Sequence, residues 1–296
     1  AKIVDENFLL LIQNGNLPSS KNKLNLSDTN FSNEDLVSVF ESQVISRHMD
    51  LKARALKNEG KCFYTIGSSG HEGNAVFGKV FQIQDMAFLH YRSAPLFIER
   101  SKKLNGTTPI YDLALSFMAS SDDPISGGRH KVIGSKELNI PPQTSTIASH
   151  LPKAVGTAFS IDHAKGLDIS ERCLNDESIV ICSFGDASAN HATALSAFNT
   201  ARLISNQGGH VPIVFICEDN GLGISVPTQA NWIEENFKNR NYLEYIKTDG
   251  LNLIDLFNKT LVAEQTCRSK RKPVFLHMKT IRLMGHAGSD LSLIHI

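Results

Sequence analysis

The 296-residue chain has no net charge, few cysteines, one tryptophan and no long apolar stretch. Most of these shortages exclude something. With 30 Lys+Arg against 30 Asp+Glu and no block of one sign, the chain lacks the long-range field that gathers a protein onto nucleic acid or an anionic membrane. Neither is expected as a partner, so the ligand must be recognised locally. The 5 cysteines (Cys62, Cys173, Cys182, Cys217, Cys267) contain no CxxC pair, and Cys182 and Cys217 lie in apolar runs that read as core. That argues against a zinc site and for a reducing compartment. The longest nearly apolar runs, such as 179–184 (IVICSF), are strand-sized and far short of the ~20 residues of a membrane helix. No GxGxxG follows any strand-like run, which weighs against a nicotinamide dinucleotide fold.

What remains is an ordinary globular composition, 41% hydrophobic, sufficient for one large core or two modest ones. The chain opens on Ala1 with no basic-then-apolar leader, so its start is expected to have been removed by processing or truncation. A bacterial cytoplasm is the expected compartment, or a mitochondrial matrix if the N-terminus is processed. Residues 291–296 (LSLIHI) read as a non-native tail, with the natural protein continuing differently after Asp290.

Residues 1–30 are polar and loop-rich apart from the run at 8–12 (FLLLI), and read as an N-terminal arm. Ser32 is a candidate N-cap with Glu34 and Asp35 in the first turn, and Leu36, Val37, Phe40, Val44, Met49 and Leu56 recur at helical spacing as far as Gly60. Helix, short strand (86–89) and helix follow, then a helix around 111–119 and a Gly/Ser-rich loop from 120 to about 143. The second half alternates helix 147–165, strand 178–184, helix 190–204, strand 211–217, an irregular helix near 232–237, strand 245–247, helix 253–268 and strand 273–279. Such alternation predicts an α/β fold, a parallel sheet with helices on both faces and a helical N-terminal extension. The expected domain is residues 31–290.

In an open parallel sheet ligands sit beyond the carboxyl ends of the strands. Two of the predicted strands end in unusual polar loops, Gly185-Asp186-Ala187-Ser188-Ala189-Asn190 and Glu218-Asp219-Asn220-Gly221-Leu222-Gly223. If these strands are neighbours, Asp186 and Asn220 face one space. A carboxylate, an amide oxygen and a backbone carbonyl are the hard donors that suit Mg²⁺ when phosphates complete its shell. Small residues at 185 and 187–189 leave the following helix N-terminus open to phosphate.

Gly-Asp, some thirty residues and then Asn is similar to the thiamine diphosphate fingerprint. Residues 180–190 (VICSFGDASAN) and 213–225 (IVFICEDNGLGIS) resemble the α chain of the 2-oxo acid dehydrogenases, the family of the first enzymes of the pyruvate and branched-chain complexes. Further ordered matches are 63–73 (FYTIGSSGHEG), 90–94 (HYRSA), 144–156 (TSTIASHLPKAVG) and 282–290 (RLMGHAGSD), so the resemblance covers roughly 35–290. It implies the thiamine diphosphate-binding fold, with Asp186, Asn220 and the Leu222 carbonyl holding Mg²⁺. It implies Tyr91, Arg92, Gly185, Ala187 and Ser188 around the diphosphate, Ser145 and Ile147 at the aminopyrimidine, and His286 beside diphosphate and reacting carbonyl as the catalytic position. His71, His130, His150 and His191 have no case beyond lying near these motifs.

The resemblance also implies partners. A β subunit, or a fused β half, would supply the glutamate that activates the cofactor and a histidine for the lipoyl step. A lipoyl-bearing acyltransferase, a 2-oxo acid and an α2β2 assembly would complete the picture, with branched-chain members the nearer likeness. Departures are Ala187 where Gly is common, a slightly longer connection through 205–210, and Ala287 where regulated relatives carry a phosphorylated serine. At Thr144, Thr146, Ser149 and His150 the family's potassium loop includes a histidine, which is not a natural K⁺ ligand. The loop 126–134 is shorter than the pattern, so no substrate contact is carried onto it. Two other readings stay open: another transketolase-type thiamine diphosphate enzyme, and a non-catalytic α-like scaffold subunit.

Overall fold

In the second half of the chain strands alternate with helices because apolar runs of six or seven residues are separated by longer stretches with helical periodicity. In the computed structural model, which describes residues 2–15, 24–63, 65–143, 146–224 and 226–287, the elements are α1 (Lys2–Gln13), α2 (Asn33–Asn58), α3 (Ala75–Val80), β1 (Met86–Phe88), α4 (Ala94–Ser101), α5 (Pro109–Met118), β2 (Ile133–Ser135) and β3 (Ile140–Gln143). There follow α6 (Leu151–Gly166), β4 (Val180–Gly185), α7 (Ala192–Asn206), β5 (Ile213–Asp219), α8 (Trp232–Phe237), β6 (Glu244–Asp249), α9 (Leu253–Lys270) and β7 (Val274–Lys279). The proposed tail 291–296 lies outside the described residues.

β1, β4, β5, β7 and β6 form, in that order, a five-stranded parallel sheet. The α/β fold with helices on both faces is therefore as expected, with a helical segment at the N-terminus. Successive residues of a strand point to opposite faces, and here both faces are covered. Ile181, Val214, Ile216 and Leu276 pack into one core with residues of α3, α4 and α9. Cys182, Phe184, Phe215 and Phe275 pack into the other, with α6, α7 and α8. That double burial is why the strands read as continuous apolar runs.

The structure departs from the sequence reading in several places. Much of the expected loop-rich arm is helix α1. The Gly/Ser-rich stretch 120–143 contains the antiparallel pair β2–β3, which its shortness and Pro141-Pro142 conceal. Helix α6 starts at Leu151, not 147, because Ala148 adopts φ +58°. Strand β5 runs two residues past its apolar run, through Glu218 and Asp219, which pair with Met278 and Lys279 of β7.

Ser32 does cap α2, its Oγ accepting the Asp35 N–H at 3.1 Å. Leu36 and Met49 of its apolar pattern pack against the core as expected, but part of the pattern faces outward. Val39, Ser42, Ser46, Asp50 and Ala53 are buried, whereas Val37 and Phe40 stay 67% and 62% exposed. Ser38 and Ser42 donate to the buried Glu99 carboxylate of α4, and that polar seam is what draws the serine face inward.

Candidate active site

Because β4 and β5 are adjacent and in register from Val180↔Ile213 to Gly185↔Glu218, the residues that follow them share one end of the sheet. Asp186 is buried in the 3-10 turn Asp186–Asn190 directly after β4. Asn220 opens the loop after β5, where Gly221 takes φ +73°, a conformation that favours glycine. The loop is braced internally. Asp219 Oδ1 accepts the Gly221 N–H at 3.1 Å and Asn220 Oδ1 accepts the Leu222 N–H at 2.9 Å. It then folds back so that Thr228 Oγ1 donates to Asp186 Oδ2 at 2.5 Å.

Ten of the residues singled out from sequence line the resulting cleft of about 360 Å³: Tyr91, Arg92, Ile147, Gly185, Asp186, Ala187, Ser188, Asn220, Leu222 and His286. Ser145 lies outside the described residues. A second hollow of about 200 Å³ adjoins the cleft through His90, Tyr91, Ile147 and Ser188, and reaches Gln143 and His150.

Arg92 is fully enclosed. Its Nη1 donates to the Gly67 carbonyl at 2.5 Å and its Nη2 to His286 Nδ1 at 3.1 Å. Since a guanidinium only donates, His286 accepts at Nδ1 and a neutral ring carries its proton on Nε2. Tyr91 meets the same imidazole edge-on, ring centres 5.9 Å apart. The Gly67 carbonyl is itself held from behind, because buried Asp50 Oδ2 accepts the N–H groups of Ser68 and Ser69 and the Ser69 hydroxyl at 2.7–2.8 Å.

Burial pushes the Asp186 carboxyl up to about 6, the hydrogen bond from Thr228 opposing it. Asp219, one residue before Asn220, goes the other way. Burial would raise it, but hydrogen bonds from His277 and Lys279 outweigh that and bring it to about 2. Burial also lowers His90 well below the ordinary imidazole value, and neither of its ring nitrogens has a hydrogen-bond partner among the described residues. His90 lines both hollows.

Other residues that shape the site have no signal in the sequence reading. His71, given no case there, is fully buried with its Nδ1 at 2.6 Å from Glu218 Oε2 and its Nε2 at 2.9 Å from Asn220 Nδ2. Arg282 Nη1 ties the 219–228 loop down through the Gly223 carbonyl at 2.7 Å. The available clue was Glu218, a charge at the end of an apolar strand that must find a buried partner. One expectation is corrected: the first turn of α7 does not open on Asp186. The 3-10 turn intervenes, and the His191 side chain accepts the Thr193 N–H at 3.2 Å, so the helix end is capped from within. His150 Nε2 donates to the Ser183 carbonyl, 2.8 Å away, so this ring nitrogen is engaged with the strand.

A family model described as "Dehydrogenase E1 component" matches residues 41–294. Among curated proteins, the chain is 27% identical to a mitochondrial 2-oxoisovalerate dehydrogenase subunit alpha of Caenorhabditis elegans over 89% of its own length and 57% of that protein. It is 26% identical to the Mus musculus counterpart over 89% and 56%. It is 24% identical to a subunit alpha 2 of Arabidopsis thaliana over 96% and 56%. The chain thus spans little more than half the length of these relatives.

Proposed function

The chain belongs to the dehydrogenase E1 component family, and from that premise we propose that it is the α part of the decarboxylating first component of a 2-oxo acid dehydrogenase complex, a branched-chain 2-oxo acid being favoured over pyruvate. The observation that carries the reading is the meeting of Asp186 and Asn220, from adjacent strand ends, with Arg92 and His286 across one cleft.

Thiamine diphosphate with Mg²⁺ suits this donor set. Asp186 is a buried carboxylate held near 6, and a cation beside it would remove the cost of its charge. The orphaned nitrogens of His90 in the cleft wall are the kind of group a polar ligand satisfies. Asp186, Asn220 and the Leu222 carbonyl would hold Mg²⁺, oxygen donors in keeping with that ion. Tyr91, Arg92, Gly185, Ala187, Ser188 and His286 would surround the diphosphate, and Ser145 and Ile147 the aminopyrimidine. When bound, the thiazolium supplies the electron sink that decarboxylation needs and that no side chain offers.

The protein's share is binding, orientation and proton placement. The Gly67 carbonyl holds the Arg92 guanidinium by Nη1 and His286 holds it by Nη2, which fixes the plane of this cation in the cleft wall. His286, accepting at Nδ1 from Arg92, keeps a proton on Nε2 for the substrate's carbonyl oxygen or a phosphate oxygen.

The site is half of one. Asp186 is the acidic residue among the described residues of the cleft wall, and Glu218 is engaged by His71 behind it. A β subunit or fused β half would provide the missing glutamate, with a lipoyl-bearing acyltransferase receiving the acyl group and an α2β2 assembly as the working unit. The outward apolar face of α2 supports a protein partner. Phe40 and Val44 line a groove with Leu251, Leu253 and Leu283 that reaches Gly70 beside the cleft. The test is turnover of branched-chain 2-oxo acids with thiamine diphosphate and Mg²⁺, with and without the β protein. Activity is expected only with β. Robust activity from the isolated chain refutes the half-site, and calorimetry that detects no Mg²⁺-dependent cofactor binding in the assembly refutes the cofactor assignment.

A further inference from the structure

Building on the reading that Asn220 offers its amide oxygen to Mg²⁺, we propose that His71 is a positioning residue that decides which end of the Asn220 amide faces the metal. Glu218 is completely buried at the end of β5, and its Oε2 lies 2.6 Å from His71 Nδ1. A carboxylate accepts, so Nδ1 carries the hydrogen. A neutral ring with its hydrogen on Nδ1 has only a lone pair at Nε2. The atom 2.9 Å from Nε2 is therefore the Asn220 NH2 group.

The other end of the amide agrees. Asn220 Oδ1 accepts the Leu222 N–H at 2.9 Å, which occupies one lone pair and leaves the second for a cation. Turning the amide over would set an NH2 against the Leu222 N–H and an oxygen against the His71 lone pair, two repulsive contacts replacing two hydrogen bonds. Amide orientation is assigned from such networks, and here both neighbours give the same answer. Glu218 is steadied in turn by Asn74, whose Nδ2 lies 3.3 Å from the same Oε2. Glu218, His71 and Asn220 thus form a relay of hydrogen-bond direction running from the core to the metal side of the cleft. Groups that orient a metal ligand in this way are worth about ten- to a hundredfold in affinity.

The same cluster has a competing use. Ligand atoms of His71, His90 and Glu218 lie within 4.8 Å of one another and could hold an ion of their own, but both nitrogens of His71 are already engaged.

The experiment separates these roles with two amide isosteres in the full-length assembly. His71→Asn places an amide NH2 near Nδ1, keeping the donor to Glu218 and losing the acceptor for Asn220. His71→Gln places an amide oxygen near Nε2, keeping that acceptor. Each protein is titrated with Mn²⁺, as a visible stand-in for Mg²⁺, in the presence of thiamine diphosphate, and bound Mn²⁺ is counted by electron paramagnetic resonance. His71→Asn should bind Mn²⁺ about ten- to a hundredfold more weakly and melt near the parent in chelator, and His71→Gln, which strips a donor from buried Glu218, should melt below the parent yet, while folded, bind Mn²⁺ within about threefold of it. Equal loss in the two variants would make His71 mere packing, and no loss in either would make it irrelevant to the metal. A second ion per chain, bound by the parent and lost in both variants, would make the cluster a metal site. Each of these overturns the proposal. A parent that binds no Mn²⁺ overturns the reading of the cleft itself, a different failure visible before any variant is compared.

Discussion

Replacing Asp186 by asparagine should make the metal-free protein more stable while destroying the proposed metal site. Asp186 is raised from an ordinary 3.8 to about 6, first by burial, with the nearby Asp219 charge adding to it and the Thr228 hydrogen bond opposing it. At 1.36 kcal/mol per pKa unit, that gap corresponds to about 3 kcal/mol. The sign follows from the direction. A carboxyl whose folded pKa is raised favours the fold fully below its unfolded value near 4, and that contribution is lost as pH rises to about 6 and beyond. Above pH 7 the folded protein therefore carries an uncompensated buried charge that asparagine lacks, and asparagine can still accept from Thr228 Oγ1. With some of the gain lost to imperfect fit, Asp186→Asn should be about 2 kcal/mol more stable at pH 8 in chelator, a few degrees in Tm for a chain of this size. The advantage should shrink steadily toward pH 4. Adding Mg²⁺ and thiamine diphosphate should reverse the order, because only the parent gains binding free energy. Paired melts at pH 4 and pH 8, with and without the ligands, decide the matter. If the variant is no more stable than the parent at pH 8 in chelator, the carboxylate is not waiting for a cation and the reasoning fails.

Asp50→Ala should act at a distance: it strips the acceptor from the N–H groups of Ser68 and Ser69, so the Gly67 carbonyl that holds Arg92 loses its anchor. Thiamine diphosphate affinity should fall tenfold or more, with a drop of about 2–3 kcal/mol in unfolding free energy from the stranded donors, read by calorimetry and denaturant titration. Gly70→Ala should be far worse than Gly106→Ala. Both glycines have positive φ, but a Cβ at Gly70 would sit 2.2 Å from the Ile281 carbonyl oxygen while one at Gly106 meets nothing within 4 Å. Denaturant titration should show a loss of roughly 3 kcal/mol or more against about 1 kcal/mol.

Sequence spacing was a good guide wherever the physics is local. Ser32 and its acidic first turn start α2, and the continuous apolar runs of β4 and β5 identify strands covered on both faces. Polar residues beyond those runs mark the proposed ligand end of the sheet, so Asp186 and Asn220 could be singled out before any fold was known. The pattern misled where a tertiary contact overrode it. Val37 and Phe40 of α2 point outward because Ser38 and Ser42 answer Glu99, and β5 continues through Glu218 and Asp219 because β7 pairs with them. Nothing in Gly70-His71-Glu72-Gly73 reveals that its histidine meets an asparagine 149 residues later.

Residue chemistry and period are written into short windows, and so the α/β class, the strand ends and the hard-oxygen donors belong to the sequence by itself. Direction and environment do not. Whether Asp186 titrates near 4 or near 6 depends on burial, which end of the Asn220 amide faces the cleft depends on His71, and where Arg92 points depends on Gly67 and, through it, on Asp50. Those were decided only when distant segments closed on one another and excluded water, because burial strengthens each hydrogen bond and makes every unpaired polar group costly.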